Sequence, residues 1–265
     1  MLFGINPLIK GNVHFIKEDL IIYPAGQTFT VNDLTKKTQT HIAIPWSKKT
    51  INLIVMSPNR KYLAVAESGD RPTISIFDLR DRTRIKYLGN PVAGSKAKRF
   101  ASIAFTFDNK YMVAITGEPD WLLLWYNWER ARVETTAKMF DPGDKIGPIF
   151  QVSTHPDDHT VIVVVGDCFF KMYSLFGTEF QQYGFERAER VPLTCVTWIA
   201  PDKALAGTKD GRFLLIDFGE LVGIYRVYDV DEIVIIPRRQ AAEEVHLPAV
   251  DNLTPSQQAE DEVRI

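Results

Sequence analysis

The amino-acid sequence predicts an all-β protein built as a β-propeller. Two strand patterns recur along the chain at steps of 43 to 49 residues, and no stretch keeps a 3.6-residue period long enough for a crossover helix. A repeat of this length that holds about four short strands is one propeller blade, because so small a sheet buries both faces only against its neighbours. The chain is therefore expected to form about five blades.

The first recurring pattern is a short apolar strand, a turn and a second apolar strand. It appears as LIVMSPNRKYLAVAE from Leu53, SIAFTFDNKYMVAIT from Ser102, QVSTHPDDHTVIVVV from Gln151 and CVTWIAPDKALAGT from Cys195. The turns are anchored at Pro58, Phe107, Pro156 and Pro201, which are 49, 49 and 45 residues apart. So regular a spacing indicates one structural unit repeated along the chain.

The second pattern is an alternating strand that ends on a bulky residue followed by a short polar one. It appears as TFTVNDL from Thr28, TISIFDL from Thr73, LLLWYNW from Leu122, FFKMYSL from Phe169 and FLLIDF from Phe213. The polar residues are Asp33, Asp78, Asn127, Ser174 and Asp217, at steps of 45, 49, 47 and 43 residues. They stand where a WD40 repeat has the Asp of its Trp-Asp pair, and we expect their side chains to bond to turn amides. The predicted propeller is therefore WD40-like.

The repeats divide the chain into two regions. Residues 1–231 are predicted to form the blades, whereas residues 232–265 are polar, charged and poor in aromatic residues, as in a flexible tail. Propellers close with four to eight blades. Five units therefore form either a free-standing ring or an open arc whose last blade exposes an apolar face. We favour an open arc that is completed by blades from another chain.

Composition excludes several classes of function. The chain has 265 residues, of which 45% are hydrophobic and 24% charged, as in an ordinary globular protein. The formal net charge is −2, so no basic field favours nucleic acid, and no run approaches the ~20 apolar residues of a membrane-spanning helix. Cys168 and Cys195 are too few for a disulfide framework, and their apolar neighbours predict two buried thiols in a cytoplasmic protein. The expected partners are proteins.

Two segments hold residue types that could bind a metal. His155 and His159 flank a pair of aspartates, but they fall in the inter-strand turn of a repeat, where ordinary turn chemistry is the favoured interpretation. The loop Asp141–Asp144 lacks the alternating oxygen ligands and the terminal Glu of a calcium loop. No metal or cofactor is therefore predicted.

Catalysis is also not predicted. Five-bladed propellers include glycosidases, which need two facing carboxyl groups, but Asp33, Asp78 and Asp217 recur at the structural position of the repeat. The sequence also lacks the signatures of serine hydrolases, P-loop hydrolases and Rossmann enzymes. We therefore predict a non-enzymatic protein.

Three segments carry a resemblance to a known family. They are IIYPAG from Ile21, SPNRKYLA from Ser57 and, most specifically, PDWLLLWYNWE from Pro119. Over roughly residues 3–230 the sequence resembles the N-terminal propeller of the ciliary WD-repeat family of cilia- and flagella-associated protein 57. The resemblance implies a structural component of the motile axoneme, associated with inner dynein arms and doublet microtubules. Members of that family continue into a second propeller and a coiled coil, whereas this sequence contains no heptads.

Two basic clusters are candidates for partner binding. They comprise Arg80, Arg82 and Arg84 in one inter-blade connection and Lys96, Lys98 and Arg99 in another. The simpler interpretation is a pair of solvated loops. The alternative is an electrostatic contact with the acidic surface of tubulin or of another axonemal partner, which salt would weaken, and Arg238-Arg239 could join it.

Three tryptophans lie close together on one predicted strand. Alternation places Trp121 and Trp125 on one face and Trp128 on the other, so packing between blades is favoured. If Asp120 and Trp121 instead lie at the propeller rim, Trp121 is the best single candidate for a binding hot spot.

Two functional hypotheses remain. The first is an axonemal scaffold whose loops contact other ciliary proteins. The second is a cytosolic WD-repeat adaptor that assembles protein complexes outside cilia. The repeat architecture allows both, because a fold does not determine its function.

Overall fold

The computed structural model describes residues 6, 8–26, 28–43, 50–140, 147–184 and 191–226. Every regular element within these ranges is a β-strand. The strands form five four-stranded antiparallel sheets, each made of four consecutive strands, so the predicted all-β fold of five blades is confirmed. The predicted tail at residues 232–265, Arg238-Arg239 and the Asp141–Asp144 loop lie outside the described ranges. Among the described segments no helix could cross a membrane.

The five sheets are named blades 1 to 5 in chain order, and the first strand of each blade is its innermost strand. Blade 1 contains β1 (His14–Lys17), β2 (Leu20–Ala25), β3 (Thr28–Asp33) and β4 (Thr38–Ala43). Blade 2 contains β5 (Thr50–Met56), β6 (Tyr62–Ser68), β7 (Thr73–Asp78) and β8 (Thr83–Gly89). Blade 3 contains β9 (Phe100–Phe105), β10 (Met112–Thr116), β11 (Leu122–Asn127) and β12 (Arg132–Lys138). Blade 4 contains β13 (Ile149–Thr154), β14 (Val161–Gly166), β15 (Phe169–Phe176) and β16 (Glu179–Tyr183). Blade 5 contains β17 (Leu193–Trp198), β18 (Lys203–Thr208), β19 (Arg212–Asp217) and β20 (Glu220–Arg226).

Each blade has a forward face toward the next blade and a rear face toward the preceding one. Successive residues of a strand point to opposite faces. In β10, Met112 and Ala114 pack against blade 2, whereas Val113 and Ile115 pack against blade 4. All four side chains are fully buried, so the central strands of an inner blade read as continuous apolar runs.

Four hydrophobic cores join consecutive blades. One core lies between each pair: blades 1 and 2, blades 2 and 3, blades 3 and 4, and blades 4 and 5. The three tryptophans of blade 3 follow the predicted alternation, with Trp121 and Trp125 in the core toward blade 4 and Trp128 in the core toward blade 2. Among the described residues no fifth core joins blade 5 to blade 1.

Polar bonds between innermost strands reinforce three of these junctions. The Asn52 side chain donates to the Phe100 carbonyl at 2.8 Å, and the Ser102 hydroxyl accepts from the Val152 amide at 3.1 Å. The Gln151 side chain donates to the Val196 carbonyl at 2.9 Å and accepts from its amide at 3.1 Å. Each bond joins one blade to the next and so fixes the position of adjacent innermost strands relative to each other along the strand direction.

A segment before β1 crosses the centre of the arc. The Lys10 ammonium donates to the carbonyls of Ala101 at 3.1 Å and Phe150 at 2.9 Å, which belong to blades 3 and 4. Burial, and then the nearby Arg99 charge, lower the pKa of Lys10. The next residue, Gly11, has a φ of +63°, and a Cβ there would lie 2.4 Å from the Ile54 carbonyl oxygen, so the crossing requires glycine.

Three of the five short polar residues that end the third strands bind turn amides as expected. The Asp33 carboxylate accepts from the Lys36 amide at 2.8 Å, and the Asp78 carboxylate accepts from the Arg80 amide at 2.8 Å. The Asn127 side chain accepts from the Arg130 amide at 3.2 Å. The prediction from the repeat is confirmed at these three positions.

The prediction of two buried thiols is wrong. Cys195 is exposed and Cys168 is only partly buried. Cys195 lies on the forward face of blade 5, which no described residue covers. Cys168 lies in the turn between β14 and β15 with a φ of +55°, so it belongs to a connection and not to a core strand.

Candidate interaction surface

Asp120 is an anchor between two connections. Its carboxylate accepts hydrogen bonds from the Ser95 hydroxyl at 2.5 Å and from the amides of Lys96 at 2.6 Å and Ala97 at 2.9 Å. The carboxylate therefore fixes the connection between blades 2 and 3 against the turn before β11. The sequence identified Asp120 as a candidate for partner binding, and the structure places it between these two loops.

The surroundings of Asp120 favour its ionised form. Partial burial raises the pKa of Asp120, but the hydrogen bonds from Ser95, Ala97 and Lys96, together with the Lys96 charge, outweigh it. The pKa of Asp120 is therefore below its ordinary value of 3.8. The loop contact is strongest where this carboxylate is charged.

Trp121 lies in the core and not at the rim. Its side chain is 2% exposed, and its ring meets Phe140 edge-on with 6.5 Å between ring centroids. The backbone on both sides is fixed, because the Trp121 amide donates to the Gly117 carbonyl and the Met139 amide donates to the Trp121 carbonyl. The alternative of an exposed hot spot does not fit this geometry, because a partner could reach the ring only by separating blades 3 and 4.

The two basic clusters lie at opposite ends of blade 2. Arg80 and Arg82 are in the turn between β7 and β8, and Arg84 is in β8, the outermost strand. The cluster of Lys96, Lys98 and Arg99 follows the far end of β8, in the connection to blade 3. All six side chains are exposed, but the fold keeps the clusters apart, so they form two surfaces and not one.

The first cluster has an excess of positive charge. Arg80, Arg82, Arg84 and Lys86 define what we call the blade 2 hairpin patch; the nearby acids are Asp78 and Asp81. Arg80 pairs with the Asp81 carboxylate at 3.2 Å, and this bond raises the pKa of Arg80 above its ordinary value. The patch therefore offers a cationic surface to an acidic partner.

Exposed apolar side chains extend the blade 2 hairpin patch. Tyr87 is 52% exposed and Ile85 is 39% exposed on the same outermost strand. The Arg84 guanidinium lies over the Tyr87 ring at 5.5 Å from its centroid. Arginine and tyrosine are enriched in binding hot spots. Sequence analysis missed Ile85 and Tyr87, although they interleave with the basic residues in the sequence RDRTRIKY.

The second cluster is electrically balanced. Lys98 lies 3.9 Å from the Asp70 carboxylate, and Lys96 adjoins Asp120, which its own amide binds. Glu118 follows Gly117, whose amide donates to the Arg99 carbonyl. This surface therefore offers less attraction to an acidic partner than the blade 2 hairpin patch does.

The two histidines flanking the aspartate pair point to different blades. The His155 imidazole accepts from the amides of Asp157 at 3.0 Å and Asp158 at 2.9 Å, and its other nitrogen bonds to the Pro201 carbonyl of blade 5. His159 instead stacks on Tyr111 of blade 3 at 5.7 Å. Within the described part of the chain, no group of three or more His, Cys, Asp or Glu side chains is placed to hold a metal ion.

A small cavity opens along the innermost strands. It has a volume of about 400 Å³ and is lined by Lys10, His14, Ser102, Gln151 and Thr194, among others. Lys10 already bonds to two carbonyls there, and burial lowers the pKa of His14 despite the Ile54 and Gly11 carbonyls that bond it. The cavity therefore lies where structural contacts between blades converge.

Comparison with known proteins finds relatives that are named cilia- and flagella-associated proteins. No family model matches the chain. The chain is 30% identical to mouse cilia- and flagella-associated protein 57 over 223 residues, which cover 83% of the chain and 17% of that protein. It is 32% identical to cilia- and flagella-associated protein 57 C of Tetrahymena thermophila over 181 residues, 65% of the chain and 14% of that protein. The chain thus spans about a sixth to a seventh of the length of these relatives.

A solved structure supports the fold. The chain superposes on the β-propeller domain of Cps50 (Swd1) from Myceliophteria thermophila with a TM-score of 0.55 and 16% sequence identity, covering 73% of this chain and 59% of that one. At this identity the likeness concerns the fold alone.

Proposed function

This chain is a WD40-like β-propeller homologous to cilia- and flagella-associated protein 57, and on that premise we propose that it is a non-enzymatic scaffold of the motile axoneme. The observation that carries the proposal is the similarity over 83% of the chain. The chain would hold inner dynein arm components or doublet microtubules in place, and a further propeller blade from another chain would complete its ring. Its blades would supply a rigid platform and its connections the contacts.

The blade 2 hairpin patch is the proposed contact with the axoneme. It combines three exposed arginines and the partly exposed Lys86 with Tyr87 and Ile85 on an outermost strand. An acidic partner such as the tubulin surface would be attracted by the charges and held by the aromatic and aliphatic side chains. Because the charges are exposed, salt would screen the attraction over about 8–10 Å at physiological ionic strength.

Localisation tests this function. A tagged full-length chain is expressed in a motile ciliated cell, and isolated axonemes are extracted with detergent and then with rising salt. The proposal predicts a ciliary signal that survives detergent and leaves the doublets only at high salt. A diffuse cytosolic signal would contradict it and would favour the adaptor role outside cilia.

Matched charge reversals test the contact. Replacing Arg80, Arg82 and Arg84 by glutamate is expected to lower retention on doublets at least about tenfold, because attraction becomes repulsion. The control replaces Lys96, Lys98 and Arg99 by glutamate, which changes the net charge equally at the opposite end of blade 2. Equal loss of retention in both variants would contradict a specific contact at the blade 2 hairpin patch.

A further inference from the structure

The outer hairpins of blades 1 and 2 match in length, pairing and backbone conformation. Residues 33–38 read DLTKKT and residues 78–83 read DLRDRT, and each segment joins the third strand of its blade to the outermost strand. In both turns the residue before the final threonine has a positive φ, +54° in blade 1 and +57° in blade 2. The threonines, Thr38 and Thr83, are each paired with the aspartate that begins the segment. The two hairpins therefore differ in side-chain chemistry and not in shape.

The threonine of the blade 2 hairpin is accessible. Thr83 begins the outermost strand β8, which pairs only with β7, and the residue is exposed. Thr83 and Asp78 form the last pair of this ladder. Because the end of a ladder opens at a small cost in free energy, an enzyme can reach the Thr83 hydroxyl group without separating the blades.

Arginines flank Thr83 on both sides. Arg80 lies three residues before it, Arg82 one residue before it and Arg84 one residue after it. All three are exposed, and within the described part of the chain only Arg80 is in an ion pair, with Asp81 at 3.2 Å. A guanidinium group presents a rigid fork of N–H donors that binds two carboxylate oxygens at once, which an ammonium group cannot do. Protein kinases select their substrates by charge patterns of this kind.

A phosphate group on Thr83 would cancel the charge of the blade 2 hairpin patch. The patch and its nearby acids comprise four basic and two acidic residues, an excess of two positive charges. A phosphothreonine carries about −1.5 to −2 charges at pH 7. Lys86 lies two register positions from Thr83 on the same face of β8, roughly 7 Å along the strand, so its ammonium group can pair with the phosphate. The excess charge would then no longer attract an acidic partner.

We propose that Thr83 is a phosphorylation site of an arginine-directed protein kinase, and that its phosphorylation releases the blade 2 hairpin patch from an acidic partner. The Thr83 Oγ1 attacks the γ-phosphorus of magnesium-bound ATP, and the bond from that phosphorus to the oxygen bridging the β- and γ-phosphates breaks. ADP leaves with the bridging oxygen, and the hydroxyl proton passes to the catalytic aspartate of the kinase. The modification depends on the hairpin alone, whereas the release rests on the proposed function.

Blade 1 supplies the internal comparison. Thr38 has the same pairing as Thr83 and is also exposed. Its turn carries two lysines and no arginine, and Lys36 lies 3.7 Å from the Asp33 carboxylate. A kinase that binds arginine side chains is therefore expected to leave Thr38 unmodified.

Labelling of the full chain tests the modification. The purified chain is incubated with an extract of ciliated cells, phosphatase inhibitors and magnesium ATP, and phosphorylated peptides are quantified by mass spectrometry. The expected site is Thr83, and the double variant Arg80→Ala, Arg82→Ala is expected to lower its labelling at least about tenfold. Absence of phosphate from Thr83 would overturn the proposal, and so would labelling that does not depend on these arginines.

A transplant of the hairpin sequence separates recognition from accessibility. The transplant variant carries Thr35→Arg, Lys36→Asp and Lys37→Arg, which give the blade 1 hairpin the sequence DLRDRT. It is expected to be labelled at Thr38, because the two hairpins already match in backbone conformation. Circular dichroism establishes that the variant remains folded. A transplant variant without phosphate on Thr38, or an unaltered chain labelled equally at Thr38 and Thr83, would contradict recognition by the arginines.

Binding to axonemes tests the release. The unmodified chain and the chain phosphorylated at Thr83 are added to salt-stripped axonemes, and phosphorylation is expected to lower the bound fraction at least about tenfold. The control is the transplant variant with Thr83→Val, in which phosphate on Thr38 is expected to leave binding unchanged. Equal binding of the unmodified and phosphorylated chains would overturn the release. Failure of the unmodified chain to bind would contradict the proposed function, whereas labelling alone decides the modification.

Discussion

Blade 3 and blade 5 have the same strand order and nearly the same strand lengths, but their central strands differ in burial. Both central strands of blade 3 are buried along nearly their whole length, whereas those of blade 5 alternate between buried and partly exposed residues. Blade 3 has a neighbour on each face, and blade 5 has a described neighbour only on its rear face.

This difference shows that the burial of an apolar side chain depends on the neighbouring blade and not on the blade that carries the side chain. Leu214 and Ile216 are 1% exposed because blade 4 covers them. Leu215 lies between them in sequence and is equally apolar, but it points to the other face and remains partly exposed. A propeller sheet with a neighbour on one face only therefore buries about half of its apolar side chains, and only that half stabilises the fold.

Truncating one leucine on each forward face gives the largest expected contrast. Leu123→Ala removes a fully buried side chain between blades 3 and 4 and is expected to lower the free energy of unfolding by about 2–5 kcal/mol. Leu215→Ala makes the same change on the forward face of blade 5, where Leu215 is partly exposed and has no described neighbouring blade, and is expected to cost about 1 kcal/mol or less. Urea unfolding of the full chain measures both, and similar losses would show that the face of blade 5 is already covered.

The Asp120 anchor is expected to give a smaller, pH-dependent effect. Because the pKa of Asp120 in the folded protein is below its ordinary value of 3.8, the ionised carboxylate stabilises the fold above about pH 5, and this stabilisation is lost as the pH falls through the folded pKa. Asp120→Asn is expected to cost about 1.5 kcal/mol at pH 7 and to flatten the acid side of the stability curve. Urea midpoints between pH 3 and 7 measure the effect.

Asp70 supplies the control for the Asp120 variant. Its side chain is 98% exposed and lies 3.9 Å from Lys98, so Asp70→Asn is expected to leave the curve nearly unchanged. An identical acid limb in the wild type and in Asp120→Asn would disprove the anchoring role.

The smallest contrast concerns the contact that holds the last blade. His155 bridges the turn of blade 4 to the Pro201 carbonyl of blade 5, and its ring meets Trp198 at 4.6 Å. His155→Ala is expected to speed amide exchange in β17 and β18 about fivefold, roughly 1 kcal/mol, without affecting blade 3. The control is His159→Ala, because the His159 ring contacts blade 3 instead; this variant should leave amide exchange in blade 5 unchanged. If both variants sped exchange in all blades alike, the contact between His155 and blade 5 would not be local.

Much of the fold could be predicted from sequence because its signal is local. The third strands of blades 1, 2 and 3 end on a polar residue that bonds to its own turn, as Asp78 does, so residues close together in sequence carry the signal of the repeat. The burial of Cys195 and the surroundings of Asp120 were not predictable in this way. Both depend on partners that are distant in sequence: Asp120 binds the 95–97 connection, and Cys195 depends on a blade that the described chain does not supply.

The interaction surface was predicted only in part for a related reason. Runs of basic residues identified the Arg80 and Lys96 clusters, but the sequence could not show that strand β8 separates them or that Asp70 and Asp120 balance the second one. Trp121 could be assigned to the core or to the rim until the position of Phe140 was known. The sequence gives the positions of the charged residues along the chain, whereas the fold determines which of them lie on the same surface.

Thiol labelling at two equivalent positions tests the central claim most directly. In a Cys168→Ser, Cys195→Ser background, Val163→Cys and Leu205→Cys place one thiol at the same register position on the forward faces of blades 4 and 5. The account predicts that the thiol at position 205 reacts with iodoacetamide at least about tenfold faster under native conditions than the thiol at position 163, because among the described residues only the forward face of blade 4 has a covering blade. Equal protection of the two thiols would contradict the account, since it would mean that the forward face of blade 5 is already buried.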